Sequence, residues 1–396
     1  MKANLVAIKD CVVKAKTWNP VVEAKDENIT YIDIAAVDKD LKKIVEPTLC
    51  LGEEAPSRAR QLVQTNDVLV STVRPNLNSV AVVTEKFSGA TASTGYTVLR
   101  PLPEILDTQY LFHWVKTDHF INAMIKLATG QSYPAVSDKI ILNSKIPLPP
   151  LPEQRRIAAI LDQADEVRQK RQQAIEKLDQ LLQATFIDMF GDPVSNPRGW
   201  ELVSAKNVLK IQGGYAFSST DFSKSGIPVV KIGNANKLGF STEKFDFIIP
   251  QYPEKLKQYE LRSGDLLMSL TGTVGKDDYG NITEVTDDYE LYYLNQRVAK
   301  LEVINTLFSK NYIRYFFSQS SIKALITKNN RGVRQANISN SDLYELDIPL
   351  PTKAQLDKFD SFIQSINEMK RYSKIQLISS NKLFFALQNQ AFNGTL

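Results

Sequence analysis

The side chains best suited to chemistry in this chain of 396 residues lie in polar turns beside glycine and aromatic residues, and they occur in both halves. Arginine can hold guanine through two hydrogen bonds, and asparagine or glutamine can do the same for adenine in the major groove. Any one of these residues is equally compatible with a solvated loop, but their recurrence in both halves favours a pair of DNA-reading surfaces. The candidates are Arg74, Asn76, Asn78, Gln131, Ser132 and Tyr133 in the first half, and Arg331, Arg334, Gln335 and Asn337 in the second.

The residue types on which catalytic sites usually depend are few or badly spaced. His113 and His119 are the only histidines, and their separation of six residues is not the i, i+4 spacing of a helical metal pair. The run Gly272-Thr-Val-Gly-Lys276 has two residues between its glycines, where a phosphate-binding loop has four. Asp277 and Asp278, which follow it, are interpreted as solvated loop carboxylates. The sequence therefore predicts no catalytic, metal or cofactor site in this chain.

Two long helices are predicted to carry these turns. The stretch 146–191 begins with a proline-rich lead-in and then contains neither glycine nor proline from Glu153 to Phe190. At ~1.5 Å per residue this helix would be roughly 55 Å long, so its apolar stripe needs a partner. The stripe has residues spaced three and four apart, namely Ile157, Ile160, Ala164, Val167, Ala174, Leu178 and Leu181, followed by Leu182, Phe186 and Met189.

The partner lies in the same chain, because the sequence is a tandem repeat. Ile-Pro-Leu-Pro at 146–149 recurs at 348–351 and again precedes a long helical pattern, whose apolar residues run from Leu356 to Leu387. The turn glycines Gly130 and Gly332 share the same offset. Such repetition predicts two copies of one unit, each a mixed domain followed by a helix, with the two helices forming an antiparallel coiled coil.

The fold class predicted is α+β, with an internal pseudo-twofold repeat. The expected domains are a first recognition domain at 1–145, a central helical spacer at 146–191, a second recognition domain at 192–347 and a C-terminal helical spacer at 348–396. Within the recognition domains, 110–127 and 312–326 are each expected to form one helix. Strands are expected at 68–73, 79–84 and 297–303.

Composition sets the broad class of protein. Hydrophobic residues make up 43% and charged residues 23% of the chain, which is typical of a globular protein. Only two cysteines occur, and no apolar run approaches the ~20 residues of a membrane span. A cytoplasmic protein without a disulfide framework or a membrane segment is expected.

Two reading domains on one rod would face DNA at a fixed separation. Major-groove sites on one face of DNA recur every ~34–36 Å, a distance that a rod of roughly 55 Å can match. We therefore expect a bipartite target, with the helix pair measuring the spacer between its two parts.

A family resemblance adds to these inferences. The run Ile-Pro-Leu-Pro-Pro-Leu-Pro-Glu-Gln-Arg-Arg-Ile-Ala at 146–158 resembles the start of the conserved spacer in the specificity subunits of Type I restriction–modification enzymes. The helix ending in Met-Phe-Gly-Asp-Pro at 189–193 and the repeat at 348 are similar to the same family. The second copy departs from the pattern, since Thr-Lys-Ala-Gln at 352–355 replaces Pro-Leu-Pro-Glu-Gln. The two helices are therefore not expected to be equivalent docking faces.

The resemblance implies a non-catalytic subunit that selects the DNA sequence, with no cofactor of its own. It would bind double-stranded DNA and two adenine methyltransferase subunits, and through them ATP-dependent restriction subunits. S-adenosylmethionine, ATP and Mg²⁺ would belong to those partners, and the methyltransferase subunits would flip the target adenines. Carried over by position, the turn at 271–276 joins the candidate DNA contacts through Thr271, Thr273 and Lys276.

Three alternatives remain open at this level. One is a free-standing bipartite DNA-binding regulator, which would bind its target without a methyltransferase. Another is a coiled-coil scaffold that joins two protein-binding domains and whose DNA binding would lack a steep salt dependence. The third is an enzyme whose catalytic groups are too dispersed along the sequence to recognise.

Overall fold

The computed structural model describes residues 4–237, 239–250, 253–274, 276–328 and 335–396. The chain divides into unit 1, Met1–Gln172 with Ile375–Leu396, and unit 2, Gln173–Lys374. Each unit thus contains one globular domain, the first part of one long helix and the last part of the other. In the described part of the chain, no helix combines the length and apolar character needed to cross a membrane.

Two helices of 40 and 41 residues confirm the predicted long helical segments. In chain order the helices are α1 Pro20–Glu23, α2 Thr108–Val115, α3 Asp118–Leu127, α4 Asp138–Asn143, α5 Leu151–Phe190, α6 Pro253–Leu256, α7 Lys310–Phe317, α8 Ser320–Thr327, α9 Asn340–Tyr344 and α10 Lys353–Asn393.

The prediction of a single helix at 110–127 is wrong, because the segment forms two helices, α2 and α3, with an interruption between them. Thr117 begins α3 as its N-cap, and its hydroxyl accepts a hydrogen bond from the Phe120 backbone N–H at 3.2 Å. A side chain that competes for backbone donors in this way favours a new helix start over continuation. The helix expected at 312–326 is also broken, between α7 and α8, where the N-cap residue Gln319 makes no side-chain capping hydrogen bond.

Unit 1 contains a four-stranded sheet in the order β10-β9-β12-β2 and a five-stranded sheet in the order β3-β8-β11-β4-β7. Two antiparallel pairs, β1 with β13 and β5 with β6, accompany them. The strands of this unit are β1 Asn4–Ala7, β2 Val12–Lys14, β3 Lys16–Thr17, β4 Asn28–Ile32, β5 Val37–Asp38, β6 Lys43–Ile44, β7 Thr48–Leu51, β8 Ala59–Leu62, β9 Val68–Ser71, β10 Val80–Val82, β11 Thr91–Ser93, β12 Tyr96–Pro101 and β13 Lys145–Leu148.

Unit 2 repeats this topology. Its four-stranded sheet has the matching order β24-β22-β26-β15, and its five-stranded sheet, β16-β20-β17-β25-β21, matches in four of five strands. The strands are β14 Glu201–Ser204, β15 Leu209–Gly213, β16 Phe222–Ser223, β17 Ile227–Val230, β18 Ala235–Asn236, β19 Gly239–Phe240, β20 Asp246–Ile248, β21 Glu260–Leu261, β22 Leu266–Ser269, β23 Thr271–Thr273, β24 Ile282–Glu284, β25 Tyr292–Leu294, β26 Val298–Val303, β27 Gln335–Asn337 and β28 Asp347–Leu350.

The inner strands β9 and β22 of the four-stranded sheets are buried on both faces, which explains why each reads as a continuous apolar run. On β9, Val68 and Val70 pack into the core that includes the helices, while Leu69 packs into the core between the two sheets. On β22, Leu266 and Leu267 divide in the same way. Successive side chains of a strand point to opposite faces, so both cores are built from one run.

The proline-rich lead-ins anchor the long helices to the sheets. β13 pairs antiparallel with β1, and β28 pairs antiparallel with β14. Behind them, the Tyr110 hydroxyl donates to the Pro147 carbonyl at 2.8 Å, and the Tyr312 hydroxyl donates to the Pro349 carbonyl at 2.8 Å. Both tyrosines are fully buried. Each lead-in is therefore a strand, and it fixes the position at which the following long helix begins.

Within each unit the segments of α5 and α10 lie side by side in opposite directions, as predicted. In unit 1 Arg171 donates to the Gln376 carbonyl at 2.6 Å, and Arg156 donates to Leu396 at 2.9 Å. In unit 2 Phe190 contacts Phe359 at 5.2 Å between ring centroids, and Lys370 pairs with Asp179.

The expected apolar seam is correct only in part. Ile157 and Leu182 are buried, but Val167 and Leu181 are 42% and 44% exposed. The buried positions of α5 instead face both the other helix and the globular domain, as with Phe186, which stacks on Tyr312 at 5.4 Å. A helix packed against two neighbours buries a wider and differently centred stripe than a two-helix seam requires.

Candidate nucleic-acid interface

In unit 1 the fold brings two of the predicted turns side by side. The first, 72–79, connects β9 to β10, and the second, 128–136, connects α3 to α4. The Arg74 N–H donates to the Pro134 carbonyl at 2.7 Å, and the Val136 N–H donates to the Thr72 carbonyl at 2.9 Å. A bridge between Val73 and Ala135 lies between these two bonds. We call this two-turn surface the reading surface of unit 1.

Its exposed side chains are those that suit base and phosphate contacts. The Arg74 guanidinium carbon lies 4.6 Å from the centroid of the Tyr133 ring, and Tyr133 is 69% exposed. Stacking of this kind orients the planar guanidinium while leaving its donors available. Asn76, Gln131 and Ser132 are also exposed. Five of the six predicted residues of this half therefore face solvent on one surface.

Asn78, the sixth, has its side chain bound within the protein. Its amide nitrogen donates to the Val115 carbonyl at 2.8 Å, while its amide oxygen accepts from the Lys42 ammonium at 3.0 Å. The same ammonium also contacts the Asn78 backbone carbonyl at 2.5 Å. With both ends of its amide engaged, Asn78 shapes the turn at the edge of the reading surface.

Unit 2 joins the equivalent turns by a short sheet, in which β23 pairs antiparallel with β27. Here the Ile338 N–H donates to the Leu270 carbonyl at 2.8 Å, the counterpart of the bond from Val136 to Thr72. Of the predicted residues, Thr273, Lys276 and Asn337 are exposed, whereas Thr271 is buried. We call this the reading surface of unit 2.

The remaining predicted residues of the second half are only partly covered. Gln335 belongs to β27, where its backbone pairs with that of Thr273. Arg331 and Arg334 lie outside the described residues. Their roles stay predictions.

The carboxylates after the glycine-rich turn are organising groups and not simply solvated loop residues. Asp278 accepts from the Thr273 N–H at 2.8 Å, and Asp277 accepts from the Lys237 ammonium at 2.7 Å. Hydrogen bonds from Lys237 and Lys323 lower the pKa of Asp277 below its usual range. A Cβ on Gly272 would lie 2.2 Å from Asp278 Oδ1 and 2.8 Å from Tyr279 Cβ, so a larger residue in β23 would displace these side chains.

Sequence reasoning missed Lys42 and Lys237, and it interpreted Asp277 and Asp278 only as solvated carboxylates. Asp278 binds the nearby Thr273 N–H, whereas Lys42, Lys237 and Asp277 act through partners at least 36 residues away. A lysine or aspartate in a polar turn carries no local signal that distinguishes a structural bond from solvent exposure. Lys42 lies between strands β5 and β6, and Lys237 follows strand β18. These two hairpins could have been recognised as a repeat only by aligning the two halves around strands that share little sequence.

The histidines show no catalytic arrangement in the described chain. His113 is fully buried, with Nε2 2.7 Å from Asp162 Oδ1. Burial lowers its pKa despite the hydrogen bond to Asp162. His119 packs against Trp114, with ring centroids 5.5 Å apart. Among the described residues, no group of three or more His, Cys, Asp or Glu side chains could hold a metal ion.

Comparison with known proteins places this architecture in context. A model of the family described as the Type I restriction modification DNA specificity domain matches residues 23–177 and 197–377. The chain is 30% identical, over 70% of its own length and 68% of the relative's, to the Type I restriction enzyme MjaVIII specificity subunit of Methanocaldococcus jannaschii. It is 23% identical to the MjaIX specificity subunit of the same organism, over 95% of this chain and 86% of the relative.

One solved structure resembles the whole chain. It comes from a study of complex assembly and conformational transition of the type I R-M system, is 26% identical in sequence and gives a TM-score of 0.55. The match covers 99% of this chain and 98% of the other. The two family matches coincide with the two copies of the repeat, so the duplication seen in sequence and in topology is a feature that the family model also detects.

Proposed function

The chain belongs to the Type I restriction–modification DNA specificity family, and from that premise we propose that each unit reads one part of a bipartite DNA target. The observation that carries the proposal is the repeated construction of the two reading surfaces. Both are made from the turn after an equivalent strand, β9 or β22, and a second turn that leads into α4 or α9. The same inter-turn hydrogen bond holds each pair.

The exposed groups of unit 1 suit both tasks of sequence recognition. Arg74 and Asn76 would contact base edges, since guanidinium and amide groups can discriminate guanine and adenine in the major groove. Gln131, Ser132 and Tyr133 would contact phosphates or flanking bases from the adjacent turn. In unit 2, Thr273, Lys276 and Asn337 occupy corresponding places, and Arg331, Arg334 and Gln335 are proposed to join them.

The spacing between the two parts of the target would be set by α5 and α10. Both helices contribute residues to both units, and their length is proposed to fix the separation of the two parts of the target. The proposed spacer is therefore constant for this chain.

Catalysis is proposed to reside in partners: two adenine methyltransferase subunits that use S-adenosylmethionine, and restriction subunits that use ATP and Mg²⁺. An apolar groove in unit 1 supports a docking role for the helix pair. It has a volume of about 360 Å³ and is lined by Ile160, Val167, Leu383 and Leu387, with Leu383 58% exposed. Exposed apolar surface of this kind is typical of a protein-binding site.

The test is a map of methylated adenines in DNA exposed to the complex of the full chain with its methyltransferase subunits. Arg74→Ala and Asn76→Ala should each relax the base preference in one part of the target and leave the other part unchanged. A bidentate base contact contributes ~1–3 kcal/mol of discrimination, so selectivity for the preferred base should fall by roughly fivefold to a hundredfold.

Lys9→Ala serves as the control, because it removes an exposed positive charge of unit 1 outside the two turns. An unchanged target in both Arg74 and Asn76 variants would exclude this reading surface. Tight, sequence-specific binding by the chain without methyltransferase subunits would instead favour a free-standing regulator.

A further inference from the structure

Each unit carries a small hairpin at the same place in its topology. In unit 1 the hairpin β5–β6 follows β4, and in unit 2 the hairpin β18–β19 follows β17. These two strands are equivalent, because each forms the parallel pair of its five-stranded sheet, β4 with β11 and β17 with β25. The hairpins are therefore a repeated feature, although their sequences, Val37–Ile44 and Ala235–Phe240, show little likeness.

Both hairpins present a lysine to the first turn of the reading surface. Lys42 contacts the Asn78 backbone carbonyl at 2.5 Å and the Asn78 amide oxygen at 3.0 Å. Lys237 contacts Asp277 Oδ2 at 2.7 Å. Asn78 lies just before β10, and Asp277 lies in the turn that leads to β24, the equivalent strand. In both units, therefore, a lysine of the hairpin binds the turn after the equivalent strand, although the two lysines bind different partners in that turn.

We propose that Lys42 and Lys237 are positioning residues, each of which holds the turn of its own reading surface in the conformation that recognises DNA. The inference rests on the proposed function, in which the two turns contact DNA. Neither lysine is assigned a base contact of its own. It identifies residues outside the two turns on which DNA recognition depends.

The turn in unit 1 needs such a restraint. Arg74 and Asn78 flank the short 3-10 turn Pro75–Leu77 with φ of 50° and 44°. Asparagine adopts this left-handed conformation more readily than other non-glycine residues, but arginine seldom does, and at Arg74 it persists only where surrounding contacts impose it. In unit 2 the residue equivalent to Asn78 is Gly280, with φ of 65°. The equivalence follows from the next residue, because Ser71 N–H donates to Ser79 and Ser269 N–H donates to Asn281.

Glycine adopts the left-handed conformation without strain, so the turn of unit 2 depends less on its lysine. The Lys237 contact is also more exposed, with 70% of the lysine side chain and 52% of the aspartate accessible. Exposed ion pairs of this kind contribute little. Loss of the lysine should therefore have a larger effect in unit 1 than in unit 2.

The charge of Lys42 provides a second readout. Burial lowers the pKa of Lys42 from 10.5 to about 8, with repulsion from Lys116 and Arg168 acting in the same direction and Asp40 and Asp38 acting against it. Above that pH the ammonium becomes a neutral amine and a weaker donor to Asn78. Arginine keeps its charge at every accessible pH, so Lys42→Arg should remove this dependence.

The sign of the stability effect separates this loss from unfolding. The pKa of Lys42 is lower in the folded chain than in the unfolded chain, so between about pH 8 and about pH 10 the unfolded chain binds more protons at this position. The contribution of Lys42 to stability therefore rises with pH across this window. A loss of recognition there cannot come from unfolding caused by Lys42.

The experiment measures methylation by the complex of the full chain with its methyltransferase subunits. The substrates are duplexes that carry the target, either intact or with one base pair changed in one of its two parts. Lys42→Met should reduce discrimination in the part read by unit 1 by about tenfold, the loss expected for a charged hydrogen bond, and leave the other part unchanged. Lys237→Met should reduce discrimination in the other part by about twofold to threefold.

Matched controls remove the same charge without the contact. Lys43→Met and Lys244→Met alter exposed lysines on or next to the same hairpins and should leave both parts unchanged. Between about pH 7 and about pH 9.5 the wild-type complex should lose discrimination in the part read by unit 1, and Lys42→Arg should retain it.

The proposal is overturned if Lys42→Met behaves like Lys43→Met, or if Lys42→Arg follows the wild-type pH profile. Failure of the underlying function gives a different result, in which Arg74→Ala also leaves both parts of the target unchanged.

Discussion

Gln154 offers a test of how the first long helix is tied to its domain. The side chain is fully buried at the start of α5. Its amide oxygen accepts from the Asp107 N–H at 2.9 Å, and its amide nitrogen donates to the carbonyls of Ile105 at 2.9 Å and Pro149 at 2.8 Å. One glutamine of α5 is therefore hydrogen-bonded both to the segment before α2 and to the proline-rich lead-in.

The perturbation is Gln154→Met, which keeps the length of the side chain and removes all three hydrogen bonds. At a net value of ~1 kcal/mol for each bond, the free energy of unfolding should fall by about 3 kcal/mol. In a domain of about 150–250 residues 1 kcal/mol corresponds to ~2–4 °C in Tm, so a decrease of roughly 6–12 °C is expected.

The repeat supplies a matched control at the equivalent position of unit 2, Leu356, which is 3% exposed in an apolar core. Leu356→Met introduces the same side chain where no hydrogen bond is lost, and such an exchange costs less than about 1.5 kcal/mol. Calorimetry of the full-length variants measures both. Equal destabilisation by the two substitutions would refute the hydrogen-bonding role of Gln154.

Two further predictions concern the turn of unit 2 and the buried histidine of unit 1. Gly272→Ala should disturb the turn at Asp278 and relax the base preference in one part of the DNA target. Gly213→Ala, with nothing within 4 Å of the added Cβ, should leave the methylated sequence unchanged. If both variants methylate the same sequence, the close packing at Gly272 has no role in recognition. Burial lowers the pKa of His113, so as pH falls below about 6.5 the unfolded chain takes up the proton first and the folded state loses stability. His113→Phe should therefore reduce the fall in urea midpoint between about pH 7 and about pH 5, and an unchanged slope would refute this assignment.

The duplicated plan could be predicted from sequence because its signals are local. A stretch of 38 residues without glycine or proline, from Glu153 to Phe190, with apolar residues spaced three and four apart, indicates a long helix from neighbouring residues alone. The recurrence of Ile-Pro-Leu-Pro at 146 and 348 marks the same junction twice. Antiparallel pairing then follows from the need to cover an apolar stripe. The candidate DNA contacts of unit 1 could also be proposed from sequence, because Arg, Asn and Gln in polar turns are a compositional signal, and they stay predictions.

The details of the reading surfaces required the folded chain. No local pattern shows that Arg74 stacks on Tyr133, since the two turns meet only through hydrogen bonds between distant backbone segments. Asn76 and Asn78 are both asparagines of the same turn, yet the Asn78 amide is hydrogen-bonded to the Val115 carbonyl and the Lys42 ammonium.

The break at Thr117 has a different, local cause. At Thr117 the apolar period continues, but a hydroxyl cap starts a new helix that can pack at a different angle.

By itself the sequence determined the repeat, the two rods and the polar character of the turns, because helix propensity and apolar periodicity act between near neighbours. Tertiary structure alone decided which polar side chains face outward and which hold the turns in place. A buried amide or ammonium group is satisfied by whichever partner the fold brings within hydrogen-bonding distance, and that partner lies anywhere along the chain.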